Sequence, residues 1–352
     1  MSSFWSRLVV LLSLGYCTQT NGQEIDLHSK KQKIDTSYKI SLRNLVLLKL
    51  DANTESNGIA FKKINGQRDF NLAPNNDINL RITAHYKFFG LSYQFSPFHP
   101  NESTKGKSTS KVIALDVVVS NHLNLSYSYG TTTGYYLENT KDYIRELTNP
   151  NLKYAVFSDV KTKLFRAENF YYFNGNKFSV RFPVNQYEIQ RKSAGSFVIP
   201  INYYYSKLDF RNEQFKDLTF SANNVYPNYL SDNYFITGFG YAYNWVIKPN
   251  WVMNMRANPI GGLDFNYTTF TNQTFSRKKQ FTYGYQAAAT LAYITPNWMG
   301  GLSADVSGWK ALSNTSDLTG KQNRFKIFVG KCFGAPKALA KSFAWLENKF
   351  SK

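Results

Sequence analysis

A chain of 352 residues with 17 % aromatic side chains, 21 Gly and a formal charge of +19 has room for one large all-β domain or two smaller ones. Two cysteines exclude a disulfide-stapled scaffold, and no run approaches the roughly 18 apolar residues of a membrane helix. The excess of Lys and Arg comes without a nucleic-acid motif, so it fits either a basic surface beside anionic lipid head groups or general solubility.

The N-terminus, "MSSFWSRLVVLLSLGYCTQTNGQ", carries Arg7, an apolar run from Leu8 to Tyr16 and a short polar stretch. That is the layout of a secretory signal peptide over residues 1–23, too short to span a bilayer. Tyr16 stands where a lipoprotein signal ahead of Cys17 wants a small residue. Cleavage near Gly22 or Gln23 removes one Arg and Cys17, leaving a charge of +18 and Cys332 as the lone thiol. Residues 24–40 then form an N-terminal periplasmic segment ahead of a β domain at 41–333. An exported chain of this kind is a soluble β protein or an outer-membrane barrel, whose strands hide their hydrophobicity by alternation.

One or two strands fall between Ile40 and Ile64. Others fall near 78–86, 89–96, 111–120, 123–136, 163–173, 177–191, 196–210, 235–247, 251–265, 281–293, 300–311 and 322–333. From Phe235 to Ile247 the odd positions are mostly bulky and aromatic, while the even ones are mostly small. Residues 281–293 repeat the pattern, with Phe281, Tyr283 and Tyr285 against Thr282, Gly284 and Gln286. Seven alternations in a row are a period-two signal, and about 9–11 residues suffice to cross a bilayer when tilted. Both strands run into Pro-Asn turns followed by Trp251 and Trp298, a pairing of turn chemistry with an interfacial indole that soluble sandwiches also use. Short and long connections alternate, as in membrane barrels. The short turns of the two halves nevertheless fall on opposite ends, so one strand between His122 and Phe210 is either missing or spurious.

In "SVRFPVNQYEIQRKSAGSF" (179–197) the alternation changes phase. As a wall strand, it turns Phe178, Val180, Phe182 and Val184 to lipid and Lys177, Ser179 and Arg181 inward. A bulge around Pro183 to Asn185 then brings Gln186, Glu188, Gln190 and Lys192 inward. Other strands offer polar inward positions, and together they define a candidate lumen-lining network: Arg81, His85, Arg181, Gln186, Glu188, Gln190, Arg256, Asp305, Arg324 and Lys326. Such a network fills the lumen structurally, lines a water-filled pore or forms a ligand site. Downstream, "NRFKIFVGKCF" reads as the terminal strand by which barrels are recognised for assembly. Residues 334–352 follow as an amphipathic helix with Leu339, Phe343, Leu346 and Phe350 opposite Lys337 and Lys341. That helix lies at the periplasmic interface or plugs the barrel mouth.

"NFYYFNGNKFSVRFPVNQYEIQRKSAGSF" resembles a family of predicted outer-membrane barrels of Gram-negative bacteria known as domain of unknown function 4421. The matching features are Asn169, Tyr172, Phe173 and Asn174, then Phe178-Ser179, Arg181, Glu188, Gln190 and Ser193 to Phe197. "GYAYNWVI" (240–247) and "KIFVGKCF" also look like the family pattern, and the likeness runs from about residue 40 to 335. The resemblance implies fold and location and brings no established activity.

A lipid hydrolase or acyltransferase needs a nucleophile beside a base. His28 lies in the N-terminal tail and His99 in a Pro- and Ser-rich loop, while His122 and Ser126 share a strand face roughly 13 Å apart. No lipase elbow, phosphate cradle or metal-ligand spacing is present. The expectation is an all-β, antiparallel transmembrane β-barrel of about 12 strands (range 10–14) in the outer membrane of a Gram-negative bacterium, with a short C-terminal helix. Its expected role is non-enzymatic, as a narrow channel or a structural surface barrel. Its expected partners are outer-membrane lipids and the barrel assembly machinery, with no cofactor and no nucleic acid. The alternatives are a lipid-active barrel enzyme and a soluble exported all-β binding protein.

Overall fold

The computed structural model describes residues 35–56, 59–61, 70–76, 78–142, 153–210, 227–270, 274–311 and 319–350. The expected signal peptide, most of the 24–40 segment and His28 lie outside the described residues. A short β1 (Lys39–Ser41) comes first, then β2 (Leu45–Ser56), β3 (Ile59–Phe61), β4 (Phe70–Ala73), β5 (Asn79–Tyr86) and β6 (Phe89–Phe95). Next are β7 (Thr109–Val118), β8 (Leu123–Leu137), β9 (Val156–Tyr172), β10 (Glu188–Gln190) and β11 (Ala194–Asp209). The last group is β12 (Pro227–Gly238), β13 (Gly240–Lys248), β14 (Trp251–Phe270), β15 (Phe275–Ile294), β16 (Trp298–Ala311) and β17 (Thr319–Gly334).

β12 and β13 are two pieces of one strand, because both keep a single register against β11 and against β14 on either side of Phe239. The antiparallel ladder therefore runs β2, β5, β6, β7, β8, β9, β11, β12/β13, β14, β15, β16, β17 and back to β2, where Val329 pairs with Leu50. This is a closed barrel of 12 strands, and closure leaves the wall no free edge. β3 and β4 form a small hairpin attached to the far end of β8.

Within the expected strand at 177–191 only the short β10 forms, and it pairs with β1 and not with the wall, which resolves the conflict in turn placement. Residues 173–193 are instead an insertion between β9 and β11. With it removed from the wall, the connections at 87–88, 119–122, 249–250 and 295–297 share one end with Leu45 and Gly334. The long connections share the other end. Asn250, in the first Pro-Asn turn, adopts a left-handed φ of 68°, which Asn tolerates better than most residues.

Alternation sets the two faces of the wall. Phe281, Tyr283 and Tyr285 are 51 %, 49 % and 52 % exposed on the outside, whereas Thr282 and Gln286, of the opposite parity, are buried inside. The same outward belt carries Leu48, Leu50, Ile82, Leu91, Ile113, Phe235, Trp245, Ile327 and Val329. An apolar belt this continuous is the surface of a wall that faces hydrocarbon. It also excludes a sandwich, since the aromatic faces meet no second sheet. Trp251 and Trp298 stand exposed at the short-turn rim. The C-terminal helix spans Lys337–Phe350, and residues 34–335 form one compact unit that does not include it.

Candidate functional site

The insertion folds as a short helical turn, Arg181–Asn185, followed by β10. Ser179 Oγ accepts the Phe182 N–H at 3.1 Å, a local cap that starts the turn. Pro183 is tolerated because the first turn leaves its amides unpaired in any case. Gln186 ends the turn in the left-handed region at φ 59°, its N–H returning to the Arg181 and Phe182 carbonyls. β10 then pairs with β1, matching Glu188 to Ser41 and Gln190 to Lys39. The expected bulge at Pro183 to Asn185 is this helical turn.

Phe178, Val180 and Phe182, expected to face lipid, are buried inside the barrel. Val184 is half-buried, and Lys177 and Lys192, expected inside, are exposed. The physical reason is that the insertion touches wall on all sides. Phe182, Tyr187 and Ile189 pack with Leu47, Val252, Ile294, Met299, Phe328 and Cys332, from β2 and β14 to β17. Phe178 and Val180 pack with Phe170, Tyr172, Val198 and Ala242, from β9, β11 and β13.

Polar groups also bond the insertion to the wall. Lys49 Nζ donates to Gln186 Oε1 at 2.9 Å, and Arg181 donates to the Lys87 carbonyl at 2.7 Å. Asn185 Nδ2 meets His85 Nε2 at 2.8 Å, and Tyr187 OH donates to the Leu45 carbonyl. Asn244 Nδ2 reaches both Gln190 Oε1 at 2.9 Å and the Ser179 carbonyl at 3.1 Å. Lys39, itself buried, pairs with Glu188 at 3.4 Å and donates to the Gly175 carbonyl at 2.7 Å. Gly90 makes room for the imidazole: a Cβ there would lie 2.4 Å from His85 Cδ2. The insertion is a floor across the short-turn mouth.

Beyond the floor the lumen is crossed by side chains. Glu55 on β2 accepts from Arg166 on β9, nearly opposite in the wall, at 2.7 Å. The same Oε1 accepts from Arg324 at 3.1 Å and from Gln322 at 2.8 Å. Arg81 clasps Gln94 Oε1 at 2.6 and 3.1 Å. Arg256 lies 3.9 Å over the Phe170 ring and donates to Tyr172 OH at 3.3 Å. Tyr204 of β11 stacks on Trp309 of β16 with centroids 5.6 Å apart and planes 9° apart. Its hydroxyl donates to Glu168 at 2.9 Å and accepts from Gln286 at 2.9 Å. Nearer the long loops, buried Asp264 and Asp232 are bonded by Gln280 at 2.7 Å and by Asn266. Glu55, held by two guanidiniums, is a clamp and not a free base.

Of the ten candidate network residues, Arg81, His85, Arg256, Asp305, Arg324 and Lys326 stand on the inward parity of wall strands. Arg181, Gln186, Glu188 and Gln190 are also buried, but on the inserted floor. The ten thus divide into two layers. Glu55, Arg166, Tyr204 and Trp309, which bridge the lumen, were not among them. Glu55 had a usable signal, since Lys49, Asp51, Asn53 and Glu55 alternate with Leu48, Leu50, Ala52 and Thr54. His122 sits before β8 with Nδ1 2.7 Å from the Tyr172 carbonyl. Among the described residues no three His, Cys, Asp or Glu side chains are grouped to hold a metal ion.

The family model described as "Domain of unknown function (DUF4421)" matches residues 33–330. No curated protein matches the chain in sequence. Among solved structures, the chain is similar to the translocator domain of autotransporter NalP from Neisseria meningitidis at 10 % identity and TM-score 0.35, covering 94 % of this chain and 95 % of that one. It is also similar to the β domain of the Bordetella autotransporter BrkA, at 10 % identity and TM-score 0.37, over 82 % and 99 % of the two chains. A third is the outer membrane protease OmpT from Escherichia coli, at 8 % identity and TM-score 0.34, over 84 % and 98 %. Likenesses this distant carry no function across.

Proposed function

The chain belongs to the DUF4421 family, and we propose that it is an outer-membrane β-barrel closed at rest, a structural or surface barrel and not an open channel. The observation that carries this reading is the cross-lumen clamp at Glu55 above the floor of residues 173–193. A channel wide enough for solutes leaves its inward polar side chains solvated. Here Glu55 with Arg166, Tyr204 with Gln286 and Arg256 with Tyr172 bond across the lumen. An aromatic outward belt in an exported bacterial chain is suited to the outer membrane, with the short turns toward the periplasm and the long loops outside. β17, pairing with β2 to close the wall, is the strand an assembly machinery would read.

The lipid-hydrolase or acyltransferase reading draws no support from its candidate bases: His122 Nδ1 meets a backbone carbonyl and His85 Nε2 meets Asn185. A fractionation experiment tests the placement. The full chain is expected in the outer-membrane fraction, extractable only with detergent, and to migrate faster on a gel before heating than after. Recovery in the soluble periplasmic fraction would overturn the proposal.

A further inference from the structure

The outward face of the wall carries a basic row that neither the floor nor the luminal network uses. Lys111, Thr131, Lys163, Lys207, Ser231, Tyr267 and Arg277 are successive cross-strand partners from β7 to β15. They share the outward parity of Ile113, Ile201, Phe235 and Phe281 and lie at the long-loop side of that belt. The neighbouring row toward the belt is mostly apolar, with Ile113, Tyr129, Phe165, Tyr205 and Phe265 beside Asn233 and Lys279, whose ammonium lies 5.5 Å over the Phe265 ring. The border between hydrocarbon and headgroup therefore runs between the two rows.

Lys163 and Lys207 stand directly opposite each other on adjacent strands. Like charges so placed repel, and the pairing is stabilised when an anion lies between them. Lys207 is partly answered by Asp209 at 3.8 Å, both side chains being about a quarter exposed. No ion pair among the described residues engages Lys111, Lys163 or Arg277, and Arg277 spreads over the Tyr267 ring at 5.4 Å. Inside the barrel, by contrast, Glu55 answers Arg166 and Arg324, and Asp51 lies 3.9 Å from Lys49.

We infer that this row is a docking surface for phosphate-bearing glycolipid headgroups of the outer leaflet. Lysine and arginine supply charge, and the hydroxyls of Thr131 and Tyr267 supply donors to phosphate oxygens. The mostly apolar row beneath supports the first part of the acyl chains. The inference rests on the outer-membrane placement, because only that orientation sets the row in the outer leaflet.

The test is native mass spectrometry of the full chain, refolded in neutral detergent and titrated with diphosphoryl lipid A. The wild type is expected to retain the lipid. Lys163→Gln/Lys207→Gln/Arg277→Gln should bind about a hundredfold more weakly, given the usual contribution per basic residue near a headgroup. Lys163→Arg/Lys207→Arg should bind as wild type, as should Lys248→Gln/Lys331→Gln at the opposite rim. Equal retention by the triple Gln variant, or displacement of the lipid by millimolar inorganic phosphate, would overturn the inference. The heat shift on gels separates the two levels: its loss in the wild type refutes the barrel placement, and its persistence in a triple variant that still holds lipid refutes only the docking surface.

Discussion

Glu55→Ala is expected to cost about 3–5 kcal/mol of barrel stability, read as a lower midpoint in guanidinium unfolding from detergent or bilayers. The carboxylate is 3 % exposed and is shared by Arg166 and Arg324, whose side chains are 10 % and 18 % exposed. Removing it takes away the buried anion that both guanidiniums share. It also parts two nearly opposite walls, because Arg166 comes from β9 and Glu55 from β2. Lys207→Ala is the proper contrast. It breaks an ion pair with Asp209 that is 3.8 Å long and partly solvated, and exposed pairs of that kind contribute about 0–1 kcal/mol. Equal midpoints for the two variants would show that the Glu55 clamp does not hold the walls.

The second large effect concerns the floor. Phe182 is fully buried among Leu47, Tyr187, Val252, Ile294 and Phe328. Truncating a buried Phe to Ala costs about 3–5 kcal/mol, from lost burial and the cavity left behind. The insertion has only a helical turn and a three-residue strand of its own, so that loss should undock it before the wall opens. Arg181 reports the undocking. In the wild type its guanidinium is buried against the Lys87 carbonyl and trypsin should not cut after it. In Phe182→Ala the folded barrel, still shifting on heating, should be cleaved there. Protection of Arg181 in a destabilised variant would mean that the insertion is held by its hydrogen bonds alone.

Much of this architecture was legible in the alternation of single strands. At 235–247 and 281–293 one face is mostly bulky and the other mostly small over seven steps, so the outward aromatic belt could be read from single strands. The Pro-Asn turns and the closing strand at 322–333 were legible for the same reason. Residues 177–191 misled because alternation of Phe178, Val180, Phe182 and Val184 with polar neighbours looks like one wet and one lipid face. A segment enclosed by wall has no wet face: its apolar side chains pack against the wall and its polar ones bond to it. Only the clash in turn placement signalled that one strand did not belong. The clamp was invisible for a different reason. Glu55 and Arg166 are 111 residues apart in sequence, and their meeting depends on the cross-section of the closed wall, which no single strand encodes.

The proposed function requires a closed lumen. The most direct measurement is ion flux through the intact full-length barrel, reconstituted in planar bilayers and in vesicles whose protein has been shown by heat shift to be folded. The account predicts no steady conductance steps, and vesicles that keep an entrapped small ion. Steady, voltage-independent open steps from the folded wild-type barrel would contradict it, because neither the floor nor the Glu55 clamp could then be in place.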